Sequence, residues 1–251
     1  MTAARELHHA RHVIGFMRTS DIHFIDRADA GRRLAALLLP LHLDRPVVYA
    51  LPRGGVPVAL EIARALRAPL DLILVRKIGA PGAPELALGA VVDGADPQQV
   101  INEEVMRLSG ADDLYLERAR ARELEELERR RERYLGGRSQ VAPAGRTAII
   151  VDDGLATGAT MKAATIAVSR QGAAGICIAV PVAPVETLAE LKSLADRIIC
   201  LHPARRFRGV GEFYDDFHQL NDSETVDLLQ RCWSGNTPEA ETTPSGPEGK
   251  P

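Results

Sequence analysis

Long apolar runs are missing from this sequence. The best candidate, Leu34 to Leu39, stops at Pro40, far short of the ~18 residues that a membrane-spanning helix needs. The opening stretch, MTAARELHHARHVIGFMRTS, lacks a continuous apolar core and a small-residue cleavage site, so no secretory signal is expected. Cysteine is scarce: Cys177, Cys200 and Cys232 have no metal-type spacing and leave one thiol over in any pairing, which predicts a reduced, cytoplasmic protein with no membrane partner. Aromatic residues make up 4%, too few for a platform that stacks single-stranded bases. A formal charge of -3 excludes a strongly basic nucleic-acid binder and leaves room only for a local basic patch.

What is present is ordinary for a globular chain. The 251 residues are 45% hydrophobic and 26% charged, the profile of one large domain or one domain carrying an insertion. Residues 1–22 are polar, with His8, His9 and His12. They read as a loosely ordered leader, with metal binding the less favoured alternative. Residues 234–251 are rich in Pro, Gly, Thr and Glu and read as a disordered tail. No internal repeat is found.

Between these ends, residues 23–233, the pattern alternates. Helices are expected at 28–39, 56–66, 159–170 and 185–194, and apolar strands at 46–51, 70–75, 147–151, 176–182 and 197–201. Continuous apolar strands separated by helices predict a doubly wound α/β fold, a mostly parallel sheet with helices on both faces. An insertion over 79–140 interrupts the alternation, and a small hood over 203–233 follows it. In the insertion, 79–84 (GAPGAP) reads as a flexible loop, 86–92 as a strand and 111–135 as one long helix with eight acidic and seven basic residues. Leu114, Leu124, Leu127, Tyr134 and Leu135 give that helix only a thin apolar stripe, so a solvated or coiled helix is expected. A nucleic-acid contact through Arg129, Arg130 and Arg131 is the weaker reading, because neighbouring glutamates cancel the field.

The strongest local signal runs from Ile149 to Thr160, IIVDDGLATGAT. It reads as a buried strand, two carboxylates, and a loop of small residues that opens a helix. Ligands of open α/β sheets sit at such strand ends. The loop amides and the positive end of the following helix make an anion cradle, with the Thr157 and Thr160 hydroxyls as added donors. Two carboxylates beside that cradle would repel a bare phosphate. They fit ribose hydroxyls or Mg²⁺, so the stretch describes a sugar phosphate site; the simpler alternative is a helix-capping cluster.

This stretch resembles the phosphoribosyl diphosphate (PRPP) signature of type I phosphoribosyltransferases, and the turn Arg53-Gly54-Gly55 after the first strand resembles their pyrophosphate loop. The order of pyrophosphate loop, flexible loop and PRPP loop covers residues 24–203. The resemblance implies that Asp152, Asp153, Gly154, Leu155, Ala156, Thr157, Gly158, Ala159 and Thr160 bind PRPP, with Mg²⁺ reaching Asp152 and Asp153 through substrate and water. It implies that Arg53 and Gly54 hold the diphosphate, the bond before that glycine being able to be cis. It gives Arg76 and Lys77 charge neutralisation of the departing diphosphate, and Glu85, in a lid over 79–85, an acid or base role; solvated strand and loop ends are the plain alternatives.

The implied reaction is transfer of phosphoribose to a nitrogenous base with release of diphosphate, in a protein that is a homodimer by resemblance. Ala156 stands where 6-oxopurine members carry an acid and is like adenine-specific loops, although the insertion is unlike a small adenine enzyme. The stretch 207–217 resembles a purine-salvage hood, with Phe207 as base stacker and Asp215 or Asp216 as its acid; a small aromatic core is the equal alternative. Two other functions stay open: a non-catalytic PRPP or nucleotide-binding regulator acting on a protein or RNA partner, and hydrolysis of PRPP by water.

Overall fold

The computed structural model describes residues 14–15, 23–94 and 97–234. Its main sheet has six strands in the order β1-β9-β8-β7-β2-β3, all parallel. In chain order these are β1 (Ile14–Gly15), β2 (Pro46–Ala50), β3 (Leu70–Leu72), β7 (Thr147–Val151), β8 (Gly175–Pro184) and β9 (Arg197–Ala204). A second, antiparallel sheet holds β4 (Val75–Ala80), β5 (Ala83–Val92) and β6 (Gln98–Ile101). The helices are α1 (Arg27–Leu38), α2 (Gly55–Leu66), α3 (Glu103–Ser109), α4 (Asp113–Leu135), α5 (Ala159–Arg170), α6 (Val185–Leu191) and α7 (Asp222–Ser234).

Strand parity divides the core in two. Ile149 and Val151 of β7 point into a cluster shared with α1, α2, α4 and α7, whereas Ala148 and Ile150 point into one shared with α5 and α6. Helices therefore cover both faces, as the apolar strands require. On the first face α1 crosses α2 at Gly31, where a Cβ would lie 2.6 Å from the Val58 carbonyl oxygen.

Several expectations change in the structure. The run 70–75 is not one strand. Leu70–Leu72 pairs with β2 and the Ile73 amide still reaches the Ala50 carbonyl (3.1 Å), while the outward-facing Leu72 and Leu74 amides donate to Asp71 (2.7 Å) and Asp93 (2.8 Å). The chain turns there into the second sheet. The stretch 79–84 is the turn of a hairpin: Gly79 pairs with Ala87, Ala80 pairs with Ala83, and Gly82 takes φ +70° at the tip. Gly79 is needed because a Cβ would sit 2.6 Å from the Pro84 carbonyl oxygen. Strand β6 and helices α3 and α7 add to the expected elements.

The long helix α4 is neither free nor coiled. Ala119, Leu127, Tyr134 and Leu135 are buried in the core, and the Tyr115 hydroxyl donates to the Gly79 carbonyl at 2.8 Å. Its three consecutive arginines are engaged, Arg129 and Arg130 by Glu126 and Arg131 by Asp93. Most of the leader, the histidines 8, 9 and 12 included, and the tail beyond Ser234 lie outside the described residues. Ile14–Gly15 pairs with β9 as a sheet edge, and Ser234 closes α7.

All three cysteines are free and buried, and burial pushes the Cys177 and Cys200 thiols up to about 12. Among the described residues no helix is long and apolar enough to cross a membrane.

Candidate active site at the carboxyl edge of the sheet

Strands β2 and β7 are neighbours with Ala50 opposite Val151, so the loops that follow them leave the sheet side by side. Two glycines let them touch. At Gly55 a Cβ would lie 2.6 Å from the Val151 carbonyl oxygen, and at Gly54 it would lie 2.0 Å from Asp153 Oδ2. The cis peptide bond lies between Pro52 and Arg53, one residue before the bond the resemblance indicated. Arg53 is partly exposed, its Nη1 3.7 Å from Asp222 Oδ1 at the start of α7. Asp222 is itself held by the Tyr134 hydroxyl (2.6 Å) and by Arg133. The Tyr134 hydrogen bond, ahead of Arg133, keeps the Asp222 carboxyl below its usual range.

The loop after β7 is braced from beneath and open above. The Leu155 amide donates to the Val182 carbonyl (2.9 Å), and the Thr187 hydroxyl to the Ala156 carbonyl (2.8 Å). Gly154 lies against Val210 and Val182, so the hood rests directly on the loop. Gly158 has φ +69° and starts α5 without a side-chain cap, and no acid occupies the first turn. The first-turn amides of α5 are thus free of side-chain competitors, the arrangement that receives an anion. Ala156, Thr157, Ala159 and Thr160 are exposed around it.

The two carboxylates differ. Asp153 Oδ2 accepts from Arg27 Nε at 2.8 Å in a nearly buried pair, and its backbone carbonyl accepts from the Tyr214 hydroxyl at 2.6 Å. Asp152 Oδ1 accepts from the Asp153 amide at 2.9 Å and has no cation of its own. Burial first, and then the adjacent Asp153 carboxylate, raise Asp152 well above the usual carboxylate range. Burial also raises Asp153, against the opposing pull of Arg27.

Of the other sequence candidates, Lys77 and Glu85 meet across the β4–β5 hairpin, Nζ to Oε2 at 3.3 Å, with Glu85 98% exposed. Lys77 also lines a cleft of about 690 Å³ together with Thr157 and Thr160. Arg76 goes elsewhere: as the neighbour of Lys77 on a strand it faces the opposite side, 2.8 Å from Glu123 of α4. The Phe207 ring stacks on Phe213 with centroids 6.0 Å apart. Asp215 is 2.9 Å from His23, and Asp216 is 3.4 Å from His218. Arg27, Tyr214 and Asp222 are not among the residues that the sequence singles out. Tyr214 stands inside the hood stretch, but nothing local marks Arg27 or Asp222.

The phosphoribosyl transferase domain model matches residues 26–217, the span that holds every loop just described. The chain belongs to the phosphoribosyl transferase family. It is 45% identical over 209 residues to the Mycobacterium tuberculosis protein named "Putative phosphoribosyl transferase Rv0571c"; the match covers 83% of this chain and 47% of that one. The chain therefore spans about half the length of the curated relatives it matches. It is also 45% identical to TT1426 from Thermus thermophilus, whose crystal structure superposes with a TM-score of 0.74 over 84% of this chain and 99% of that one. The phosphoribosyl transferase domain thus includes both facing loops, α1 with Arg27, and the hood as far as Phe217.

Proposed function

We propose that the protein binds PRPP with Mg²⁺ and transfers phosphoribose to a nitrogenous base, releasing diphosphate. One observation carries this reading. Two loops from neighbouring parallel strands are packed in contact through Gly54 and Asp153, one ending in an uncapped helix N-terminus and the other carrying Arg53. A ligand with an anion at each end and hydroxyls between them fits that pair of loops.

In this reading the 5′-phosphate lies on the amides at the start of α5, with the Thr157 and Thr160 hydroxyls. Asp152 accepts a ribose hydroxyl. Arg53 and the backbone of Gly54 receive the diphosphate. Lys77, carried over by the hairpin, compensates the charge that gathers on the leaving group, and the hairpin excludes water. The role implied for Arg76 passes to Lys77, since Glu123 already holds Arg76.

Mg²⁺ fits as a substrate-borne ion. Among the described residues no cluster of three His, Cys, Asp or Glu could hold a metal, and Asp153 is taken by Arg27, so Asp152 would reach it through water. Bound with PRPP it supplies charge neutralisation on the diphosphate. The protein's own contribution is positioning, charge compensation and water exclusion. The side chain at 156 is alanine and the nearby acids Asp215 and Asp216 already face histidines, so no residue here reads as a dedicated acid for a 6-oxopurine.

Calorimetric titration with PRPP, with and without Mg²⁺, tests the site. Binding that requires Mg²⁺ is expected, and in the Asp152→Asn/Asp153→Asn variant it should weaken by roughly tenfold or more. An intact protein that does not bind PRPP would overturn the reading. Diphosphate release with a panel of bases then separates a transferase from a regulator that binds without turnover, and release with no base added would indicate hydrolysis.

A further inference from the structure

A ligand with an anion at each end must meet two loops at one fixed spacing, and a single buried side chain sits where that spacing is set. Arg27, 7% exposed at the start of α1, donates Nε to Asp153 Oδ2 at 2.8 Å and Nη1 to the His218 carbonyl at 3.0 Å. Its guanidinium lies over the Phe217 ring, 4.0 Å from the centroid. On the other side, the Asp153 carboxyl fills the space that a Gly54 Cβ would take, 2.0 Å from Oδ2. Asp153 is therefore wedged between the Arg53-Gly54 turn and Arg27, while the Tyr214 hydroxyl fixes its backbone carbonyl at 2.6 Å.

We propose that Arg27 is a positioning residue: it holds Asp153 as the spacer that sets the separation of the phosphate loop from the diphosphate turn. The inference rests on the proposed binding of PRPP and adds how its two ends are received together. Without the guanidinium, Asp153 would be an unpaired carboxylate next to Asp152. Repulsion and the loss of the charge-assisted Nε hydrogen bond, whose donor is itself fixed by the His218 carbonyl, would free it to turn away from Gly54. Each loop would still bind its own anion, because the α5 amides and Arg53 do not depend on Arg27. What would be lost is the advantage of one ligand engaging two loops already at the right distance.

The test compares Arg27→Met with the intact protein in calorimetric titrations with Mg²⁺ and PRPP, and separately with ribose 5-phosphate, which has one anchored end. Affinity for PRPP should fall by roughly tenfold or more. Affinity for ribose 5-phosphate should change by no more than about twofold. Arg27→Lys, which keeps the charge but not the fork, should fall between the two and carries the comparison if Arg27→Met does not fold. Unchanged PRPP affinity would overturn the role of Arg27 and leave the proposed function standing. A parallel loss of both ligands would reduce Arg27 to a structural residue and also overturn the role. If the intact protein fails to bind PRPP, the function and this inference fall together.

Discussion

At Gly54 the backbone is helical, φ -60°, which any residue adopts, so the demand for glycine is wholly steric. The obstacle is the Asp153 carboxyl, the end of a side chain that can rotate, whereas Gly158 combines φ +69° with a Cβ position 2.7 Å from Thr187. Gly54→Ala should therefore fold, losing about 1–2 kcal/mol from overpacking, and should bind PRPP at least roughly tenfold more weakly because Asp153 is displaced. Thermal unfolding and titration of the same sample check both halves; intact affinity would show that the contact of the loops is incidental. The acidic pair and its glycine loop are readable because their chemistry is contiguous in sequence. Arg27 is not, because its partner Asp153 lies 126 residues away. The separation of Arg76 from Lys77 is available in principle, since adjacent residues on a strand face opposite sides.

Among the elements, the β4–β5 hairpin is the part least legible in the sequence. Gly and Pro suggest a loop, but the pairing of Gly79 with Ala87 and of Ala80 with Ala83 carries the strands almost to the tip. Tertiary pairing overrides local turn chemistry there. Helix α4 is visible in its charge pattern, but its burial is not. Its apolar stripe is thin, and a stripe does not reveal that Arg76, Asp93 and the Gly79 carbonyl wait on the facing sheet. The hairpin tip itself is uncovered: Glu85 is 98% and Leu86 48% exposed. If the hairpin closes over PRPP, amide hydrogen exchange over residues 79–87 should slow several-fold with Mg²⁺ and PRPP. Exchange that stays unchanged on binding would remove the lid role and leave Lys77 as a fixed cation of the cleft.

For the molecule as a whole, the doubly wound sheet follows from five apolar stretches, whereas the second sheet is not legible because the run 70–75 does not show that the chain leaves the main sheet after Leu72, where the Leu74 amide is taken by the distant Asp93. Asp93 joins the β3–β4 junction, the end of β5 and α4, through the Leu74 amide and Arg131. Burial raises its carboxyl to about 6, with the Leu74 amide and Arg131 opposing. A folded value above the unfolded one means that this group's contribution is full below about pH 4 and is lost as pH rises through about 6. The loss is on the order of 3 kcal/mol. The stability of the protein relative to Asp93→Asn should thus decline across that window, as chemical denaturation at pH 4.5 and pH 7 would show; a flat difference would refute it.

The braces of the site come from distant parts of the chain, and translation delivers them in a fixed order. When residue 204 has been made, every strand of the described sheets exists. Arg27 still lacks Phe217 and the His218 carbonyl, Asp153 lacks the Tyr214 hydroxyl, and Arg53 lacks Asp222. A growing polypeptide therefore carries every strand of the described sheets before it carries the last braces of the candidate site, which arrive only with the hood and the start of α7.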